Sequence, residues 1–304
     1  MNTPLVSVIC LCYNQKDYVG AAIRSVLTQT YRNIELIVVD DASNDGSQEV
    51  IKEELIGTTV QFIELEKNIG NCAAFNKGYE LSKGAYLIDL AADDLLLPFR
   101  IEIGLGDFMK ASAKSGIHFS DAFMINVDGS TINTFYERGE DGQLINTPPS
   151  GDIFQQLIEK YFICPPTMMF KREELDRLNG YDEHLSYEDF DFWIRSSREF
   201  EYIFNPAPLV KKRDVPKSLG KTQFSIRSKH FRLFNFGVHK LLVMRLDNRT
   251  VARRDKSLLK RVRLPQESLE TGPAEACAAG GFDFRAFVVG ELALTGSDSI
   301  LSRG

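Results

Sequence analysis

The sequence predicts an α/β protein whose mainly parallel sheet is covered by helices on both faces. The first hundred residues alternate short apolar runs with amphipathic runs, and this β-α-β order is typical of a parallel sheet. The predicted strands are bounded and rich in β-branched residues, and they cover residues 6–12, 34–39, 60–65 and 85–90. The predicted helices have apolar residues at helical spacing and cover residues 16–29, 46–55 and 71–82. Ligands of such sheets bind beyond the carboxyl ends of the strands.

The pattern becomes mixed after Pro98. We expect further helices over residues 100–114, 152–161 and 190–198. We expect strands over residues 117–126, 131–136 and 167–170, and a strand pair around residues 201–210. A loop marked by glycine and proline covers residues 139–151.

Composition places the chain among ordinary globular proteins, with 304 residues, 43% of them hydrophobic, and a formal net charge of −6. Its five cysteines form no CxxC pair and lie mostly in apolar or small-residue runs, which favours buried thiols in a reducing compartment. No uncharged run approaches the roughly 18 residues of a membrane span. The N-terminus lacks the features of a signal peptide. We therefore expect a cytoplasmic protein.

Positive charge is concentrated towards the C-terminus. Residues 210–263 contain 17 lysines and arginines against 3 aspartates, a net charge of +14, which leaves −20 for the rest of the chain. Because aromatic residues are interleaved, this stretch is either a solvated helical face or an interfacial helix on the anionic inner face of a membrane. It contains no nucleic-acid-binding motif, and we expect no nucleic-acid partner. The predicted division is an α/β domain over residues 1–215, a basic amphipathic helical extension over 216–263 and a Gly/Ala/Ser-rich tail over 264–304.

Two sets of polar residues follow the first two predicted strands and emerge at the same edge of the sheet. Tyr13 and Asn14 follow the first strand, and Asp40 and Asp41 follow the second. Tyr13 can stack on a base, and either carboxylate can accept a hydrogen bond from a uracil imide or a ribose hydroxyl. The alternative is that Asp41 and Ser43 only cap the next helix.

The adjacent acids Asp93 and Asp94 follow the fourth predicted strand at this same edge. Hard cations such as Mg²⁺ and Mn²⁺ bind one or two carboxylates plus phosphate oxygens, so the pair is a candidate metal site for a diphosphate ligand. A solvated loop or a helix cap is the alternative. A nicotinamide dehydrogenase is disfavoured, because the turn after the first strand contains no G-x-G-x-x-G motif.

A third acidic group begins the helix that is predicted near residue 190. Glu188, Asp189 and Asp191 stand in its first turn, where the helix dipole alone favours acids. A carboxylate of this group that faces the cleft can deprotonate an acceptor hydroxyl. Arg195 lies one turn after Asp191, at the spacing of a helical ion pair. The aromatic residues expected to anchor the helix are Phe190, Phe192 and Trp193.

These blocks together resemble glycosyltransferase family 2, a group of inverting transferases with the Rossmann-like GT-A fold. The matching motifs, in chain order, are Tyr13-Asn14, Val39-Asp40-Asp41-Ala42-Ser43-Asn44-Asp45-Gly46, Asn68-Ile69-Gly70 with Asn76-Lys77-Gly78, Asp93-Asp94, and Glu188-Asp189 with Asp191, Trp193 and Arg195. Each motif alone is weak, but together and in this order they are specific.

The resemblance implies transfer of a sugar from a nucleoside-diphosphate sugar, with a UDP-sugar favoured, to a saccharide or lipid-linked acceptor in cell-surface polysaccharide or glycolipid synthesis. It implies a nucleotide site formed by Tyr13, Asn14, Asp40, Asp41, Asn68 and Asp93. It also implies that Asp94 and Asp93 bind Mn²⁺ or Mg²⁺ together with the diphosphate. Asp189 is then the general base, and the acceptor site is supported by Glu188, Asp191 and Arg195.

Two positions depart from the family pattern. Ala91 stands where the metal motif usually has its first acid, and Phe75 stands where an arginine often precedes Asn76. These departures leave open a non-catalytic scaffold protein that binds nucleotide sugars, although the complete Glu188-Asp189 block favours an enzyme. A nucleotidyltransferase is disfavoured, because the N-terminal region lacks a lysine and glycine-rich phosphate loop.

Overall fold

Four strands alternate with three helices in the first part of the chain. The structure, a computed structural model, describes residues 3–185 and 188–215. The four strands are β1 (Val6–Cys12), β2 (Ile34–Asp40), β3 (Gln61–Glu64) and β4 (Tyr86–Ala91). The three helices are α1 (Lys16–Leu27), α2 (Ser47–Glu54) and α3 (Asn71–Leu81). The strands are parallel and lie in the order β3-β2-β1-β4, which confirms the predicted β-α-β arrangement.

The register of these strands brings their carboxyl ends to one edge of the sheet. Cys12 lies opposite Asp40, and Leu11 lies opposite Ala91. All seven residues of β1 are buried, as expected for a central parallel strand with a continuous apolar run. Helix α1 buries residues spaced along one helical face, namely Val19, Ala22, Ile23 and Val26. The loops that follow β1, β2 and β4 therefore begin at one common edge of a rigid core.

The later strands make the sheet a mixed one. They are β5 (Leu95–Leu96), β6 (Ser115–Ile125), β7 (Thr131–Thr134), β8 (Met169–Lys171) and β9 (Glu201–Arg213). Strand β8 is antiparallel to β4 and β6, whereas β9 is parallel to β6 and antiparallel to β5. The path is β3-β2-β1-β4-β8-β6-β9-β5, with β7 paired to β6, so the prediction of a mainly parallel sheet holds for the first half only. The later helices are α4 (Arg100–Lys110), α5 (Phe154–Glu159), α6 (Arg172–Leu178) and α7 (Glu188–Ser196).

The predicted strand pair around residues 201–210 is wrong, because this segment forms the single long strand β9. Pro206 and Pro208 lie within this strand, although proline cannot donate a hydrogen bond to a sheet. The ladder between β6 and β9 instead shifts register here, with Asn205 opposite Ser120 and Pro208 opposite Asp121. The bulge absorbs the prolines, and the strand continues to Arg213. Lys211, Lys212 and Arg213, which begin the basic stretch over residues 210–263, thereby belong to the sheet.

Two other expectations changed in the second half of the chain. The strand expected at residues 167–170 begins later, at Met169, because Pro165–Thr167 form a 3₁₀ turn. Helix α6 and the two-residue strand β5 were not predicted. Both are too short to show a clear period in the sequence.

Residues 3–153 and 163–215 belong to one compact unit, and α5 lies outside it. The four cysteines in the described part of the chain are buried and carry free thiols, and these are Cys10, Cys12, Cys72 and Cys164. None of the described helices combines the length and apolar character that crossing a bilayer requires. The predicted basic extension over residues 216–263, the tail over 264–304 and Cys277 lie outside the described residues.

Candidate active site

The loops after β1 and β2 are cross-linked by hydrogen bonds and leave Tyr13 on the surface, with 48% of its side chain exposed. The Asn14 amide donates to Ser43 Oγ at 2.8 Å, and the Asn44 amide donates to Asn14 Oδ1 at 2.9 Å. Asn14 and Ala42 both have left-handed backbone, with φ of 54° and 61°. Such backbone is uncommon outside glycine and concentrates at functional sites. The phenol ring is therefore held at the sheet edge by a fixed loop pair.

Asp40 is fully buried and organises the loop after β2. Its Oδ1 accepts hydrogen bonds from the Ser43 amide at 2.9 Å and from Gln48 Nε2 at 2.8 Å. Its Oδ2 accepts from Ser43 Oγ at 2.5 Å. Neither Asp41 nor Ser43 caps α2, which starts after Gly46 without a side-chain cap. Asp40 therefore stabilises the loop after β2, and the alternative of a helix cap by Asp41 or Ser43 is not observed.

Asp41 holds a different loop to the same edge. Its Oδ1 accepts from the Ile69 amide at 2.7 Å and its Oδ2 accepts from the Gly70 amide at 2.9 Å. Burial raises the pKa of Asp41, although these two amide hydrogen bonds act to lower it. Asn68, the residue before this pair, is exposed. Because each carboxylate oxygen accepts more than one hydrogen bond, Asp41 can still bind a ligand while it positions Asn68.

Asp93 and Asp94 occupy a turn directly after β4. The Ala92 amide donates to Leu11 O at 2.9 Å, which ties this turn to the end of β1. Only 5% of Asp94 is exposed, and its Oδ1 accepts from the Arg213 amide at 2.8 Å. Burial raises the pKa of both carboxyl groups, and the charge of Asp93 raises that of Asp94 further. Burial therefore disfavours the charged form of the pair, although Lys212 and Arg213 act to lower both pKa values.

Arg213, at the end of β9, holds this acidic turn in place. Its Nε donates to Asp93 O at 3.0 Å, and its Nη1 donates to two carbonyl oxygens of the loop after β6, at 2.9 and 3.0 Å. The guanidinium also lies over the Tyr18 ring, 4.6 Å from its centroid. Sequence reasoning missed this residue because the predicted strand pair ended near Val210 and Arg213 was counted only in the charge of the basic stretch over residues 210–263. The signal was the run Lys211-Lys212-Arg213 directly after apolar residues of a strand.

Lys212 lies within electrostatic range of Asp93, Asp94 and Asp189, so the structure brings together the two acidic groups that sequence reasoning singled out. Cys164 interacts electrostatically with the same lysine and with Asp94 and Asp189. Lys212 was also missed from sequence, for the same reason as its neighbour.

Helix α7 presents Asp189 in its first turn, where this residue is half-buried. Phe190, Phe192 and Trp193 are buried and anchor the helix as expected, with Trp193 Nε1 2.8 Å from Met168 Sδ. Glu188 is the first residue of α7, and its side chain lies outside what the structure describes.

The predicted ion pair between Asp191 and Arg195 is present, with Arg195 Nε 2.6 Å from Asp191 Oδ2. Only 3% of Asp191 is exposed. Arg195 also donates to Leu178 O at 2.9 Å and to Gly180 O at 3.2 Å, which fastens α7 to the end of α6. Asp191 and Arg195 are therefore placed to hold the helix that carries Asp189.

We expect Arg195→Ala to lower the free energy of unfolding by about 3 kcal/mol, because it leaves the Asp191 carboxylate buried without its cation. Urea denaturation at pH 7 measures this change. The matched control is Arg177→Ala, whose ion pair with Glu199 is exposed and spans 3.6 Å. That variant should lose less than about 1 kcal/mol. Equal losses in the two variants would show that the buried pair has no special structural role.

The described residues contain no group of three or more His, Cys, Asp and Glu side chains placed to hold a metal ion together. Asp93 and Asp94 form a smaller donor set, and Ala91 beside them is exposed. Mg²⁺ and Mn²⁺ commonly take only one or two protein carboxylates and complete their coordination with phosphate oxygens and water. The acid pair is a donor set that fits a cation bound in this way.

Phe75, the second departure from the family pattern, belongs to the core. It is fully buried, and its ring centroid lies 4.4 Å from that of Tyr181 in a stacked arrangement. This position of α3 therefore contributes packing, and no cation, to the candidate site.

A mixed α/β sheet with this acidic edge has the GT-A fold, and solved structures of glycosyltransferases match it. S. aureus TarS 1-349 in complex with UDP-GlcNAc matches with a TM-score of 0.54 and 16% identity, over 86% of this chain and 77% of TarS 1-349. The mannosyltransferase PcManGT from Pyrobaculum calidifontis, in complex with GDP-Man and Mn²⁺, matches with a TM-score of 0.56 and 15% identity, over 100% of this chain and 89% of PcManGT. At these identities the likeness concerns the fold.

The sequence model of glycosyl transferase family 2 matches residues 7–178, and the chain belongs to this family. An uncharacterized glycosyltransferase of Methanocaldococcus jannaschii is 33% identical over 246 residues, which cover 78% of each chain. TuaG of Bacillus subtilis, a glycosyltransferase provisionally assigned to teichuronic acid biosynthesis, is 34% identical over 138 residues, covering 45% of this chain and 54% of TuaG. The protein is therefore a glycosyltransferase, as the motifs predicted.

Proposed function

We propose that this glycosyltransferase moves a sugar from a nucleoside-diphosphate sugar to an acceptor hydroxyl with inversion of configuration, and that it depends on a divalent metal. The observation that supports this most strongly is the convergence of Asp93, Asp94 and Asp189 around Lys212. Charge-binding groups for the donor and a candidate base for the acceptor thus stand in one place.

The donor side of the proposed site is the edge formed by the ends of β1, β2 and β4. Tyr13 stacks on the base, Asp41 accepts a hydrogen bond from the nucleoside, and Asn14, Asp40 and Asn68 shape the loops around it. The complexes of TarS with UDP-GlcNAc and of PcManGT with GDP-Man support a nucleotide-sugar donor. We retain a UDP-sugar as the favoured donor. A divalent cation at Asp93 and Asp94 would neutralise charge on the diphosphate.

In the proposed reaction, Asp189 accepts the proton of the acceptor hydroxyl. The hydroxyl oxygen forms a bond to the anomeric carbon from the face opposite the diphosphate. The bond between that carbon and the phosphate oxygen breaks, and its electron pair leaves with the diphosphate. Asp191 and Arg195 support this step by fixing α7, and we assign Glu188 to the acceptor side. A single displacement of this kind inverts the anomeric configuration.

The acceptor is proposed to be a saccharide or a lipid-linked saccharide in cell-surface polysaccharide or glycolipid synthesis. The provisional assignment of TuaG to teichuronic acid biosynthesis supports this class of product. We also retain the prediction that residues 216–263 bind an anionic membrane surface, which the excess of 17 basic over 3 acidic residues in 210–263 supports.

A donor panel tests the proposal with the full chain. UDP-, GDP- and dTDP-sugars are incubated with a mixture of saccharide acceptors, with Mn²⁺ or with EDTA, and release of nucleoside diphosphate is measured. We expect release from a UDP-sugar in Mn²⁺, a fall to background in EDTA, and an inverted anomeric configuration of the product by NMR. Equal release in EDTA and in Mn²⁺ would contradict the proposed metal dependence. A retained anomeric configuration would contradict the single displacement.

A further inference from the structure

Lys212 interacts electrostatically with the acidic residues of the proposed reaction site. Its electrostatic neighbours include Asp94, Asp189 and Asp93, which the proposed function places on the donor and acceptor sides of the anomeric carbon. The position is fixed by the sheet, because the next residue, Arg213, donates its backbone amide to Asp94 Oδ1 at 2.8 Å. Lys212 is therefore held where a bound diphosphate sugar would have its charged group.

The ammonium group of Lys212 is not committed to a protein partner. Within residues 3–185 and 188–215 it makes no hydrogen bond or ion pair, and its aromatic contact with Phe135 spans 6.0 Å to the ring centroid. Arg213 differs, because its guanidinium is occupied by three backbone carbonyl oxygens. A half-buried cation without a direct partner is costly unless a ligand completes it.

The charge of Lys212 is maintained by the carboxylates around it. Burial acts to lower its pKa, but neighbouring negative groups raise the pKa by more, so the amine stays protonated at neutral pH. Cys164 is neutral at that pH, because burial raises the pKa of its thiol to about 12. The acidic neighbours Asp93, Asp94 and Asp189 therefore act on this charge through space, and the ammonium group keeps its hydrogen-bond donors for a ligand.

We propose that Lys212 binds the donor diphosphate directly and neutralises the charge that develops on it as the bond to the sugar breaks. The lysine keeps its proton throughout, since Asp189 receives the proton of the acceptor and the electron pair leaves with the diphosphate. This inference rests on the proposed function. It adds a cation from β9 to a site in which α3 offers the buried Phe75 instead of an arginine.

Calorimetric titration of the full chain with uridine and with UDP tests the proposal, first in EDTA and then in Mn²⁺. In EDTA no metal can bind the diphosphate. Any higher affinity for UDP than for uridine must then come from cationic side chains of the protein. We expect Lys212→Gln to weaken UDP binding by about 10- to 100-fold, the range for a hydrogen bond to a charged group, and to leave uridine binding unchanged. Lys212→Arg should retain most of the affinity. The matched control is Lys211→Gln, the adjacent strand residue, whose side chain points to the opposite face of the sheet.

The outcomes separate the two proposals. Equal loss of UDP and uridine binding in Lys212→Gln, or a fall in melting temperature that accounts for the loss, would show a purely structural lysine and overturn the inference. Unaltered UDP binding by Lys212→Gln would also overturn the inference. The same holds if the wild-type chain prefers UDP over uridine only in Mn²⁺. If the unaltered chain binds neither UDP nor GDP in Mn²⁺, the proposed function itself fails, and the role of Lys212 fails with it.

Discussion

Asp189→Asn is expected to reduce turnover by about 10²- to 10⁴-fold, the contribution that a positioned general base usually makes. Asparagine keeps the size of the side chain but cannot accept the acceptor proton. Because the proposed donor site lies at the ends of β1, β2 and β4, the affinity for UDP should change little. Initial rates of nucleoside diphosphate release give the turnover, and calorimetric titration gives the affinity.

The control for Asp189→Asn is Glu80→Gln, which removes an exposed carboxylate whose ion pair, in the described part of the chain, is with Lys77 at 3.1 Å. This variant should retain normal rates. A fall in kcat with unchanged UDP affinity separates a base from a folding residue, because misfolding would reduce both. Near-normal turnover by Asp189→Asn would remove Asp189 from the mechanism and direct attention to the other acids of α7.

Asp94→Asn should have a similarly large effect on activity, a loss of about 100-fold or more, because it removes half of the carboxylate charge available to a divalent cation. The same substitution should increase the stability of the folded state. The amide oxygen of asparagine can still accept the hydrogen bond from the Arg213 amide. The variant also loses a buried negative charge, so we expect a higher melting temperature than that of the wild type in EDTA at pH 8.

The pH dependence of this stabilisation follows from the raised pKa values. Burial raises the pKa of Asp94, so the folded state binds a proton more tightly than the unfolded state does. The wild type is therefore favoured below the unfolded-state pKa of its aspartates and loses this stability as the pH rises through the folded-state pKa. The melting-temperature difference between Asp94→Asn and wild type should grow from acidic to alkaline pH. A difference that shrinks as the pH rises would show that Asp94 is instead stabilised as an anion.

The first half of the fold and most of the candidate site could be predicted because their signals are local. Strand β1 is a run of apolar residues interrupted only by Ser7 and followed by Tyr13, and its burial is expected from that run. The spacing of Asp191 and Arg195 likewise defines a helical ion pair without tertiary information. The clustering of acidic residues at one edge of the sheet could be predicted from the rule that parallel strands end on the same side.

The second half could not be predicted in the same way, since its order depends on pairing between distant strands. Nothing local to residues 201–213 indicates that a bulge opposite Asp121 lets β9 continue past two prolines. Lys212 and Arg213 were therefore noted only as part of the basic stretch over residues 210–263, and no role in the site was predicted for them. Asp40 and Asp41 show a related limit, because the sequence makes the two neighbours equivalent whereas the structure gives them separate loops to hold.

The hydrogen bond from the Arg213 amide to Asp94 joins residues that are 119 positions apart in the chain. Closing a loop of this length is slow relative to forming the local helices and neighbouring strands. During synthesis, the acidic turn after β4 leaves the ribosome long before the strand that completes it. The proposed catalytic centre is thus one of the last parts of the domain to mature, and a nascent or prematurely terminated chain lacks it even when the strands of the proposed nucleotide site have already folded.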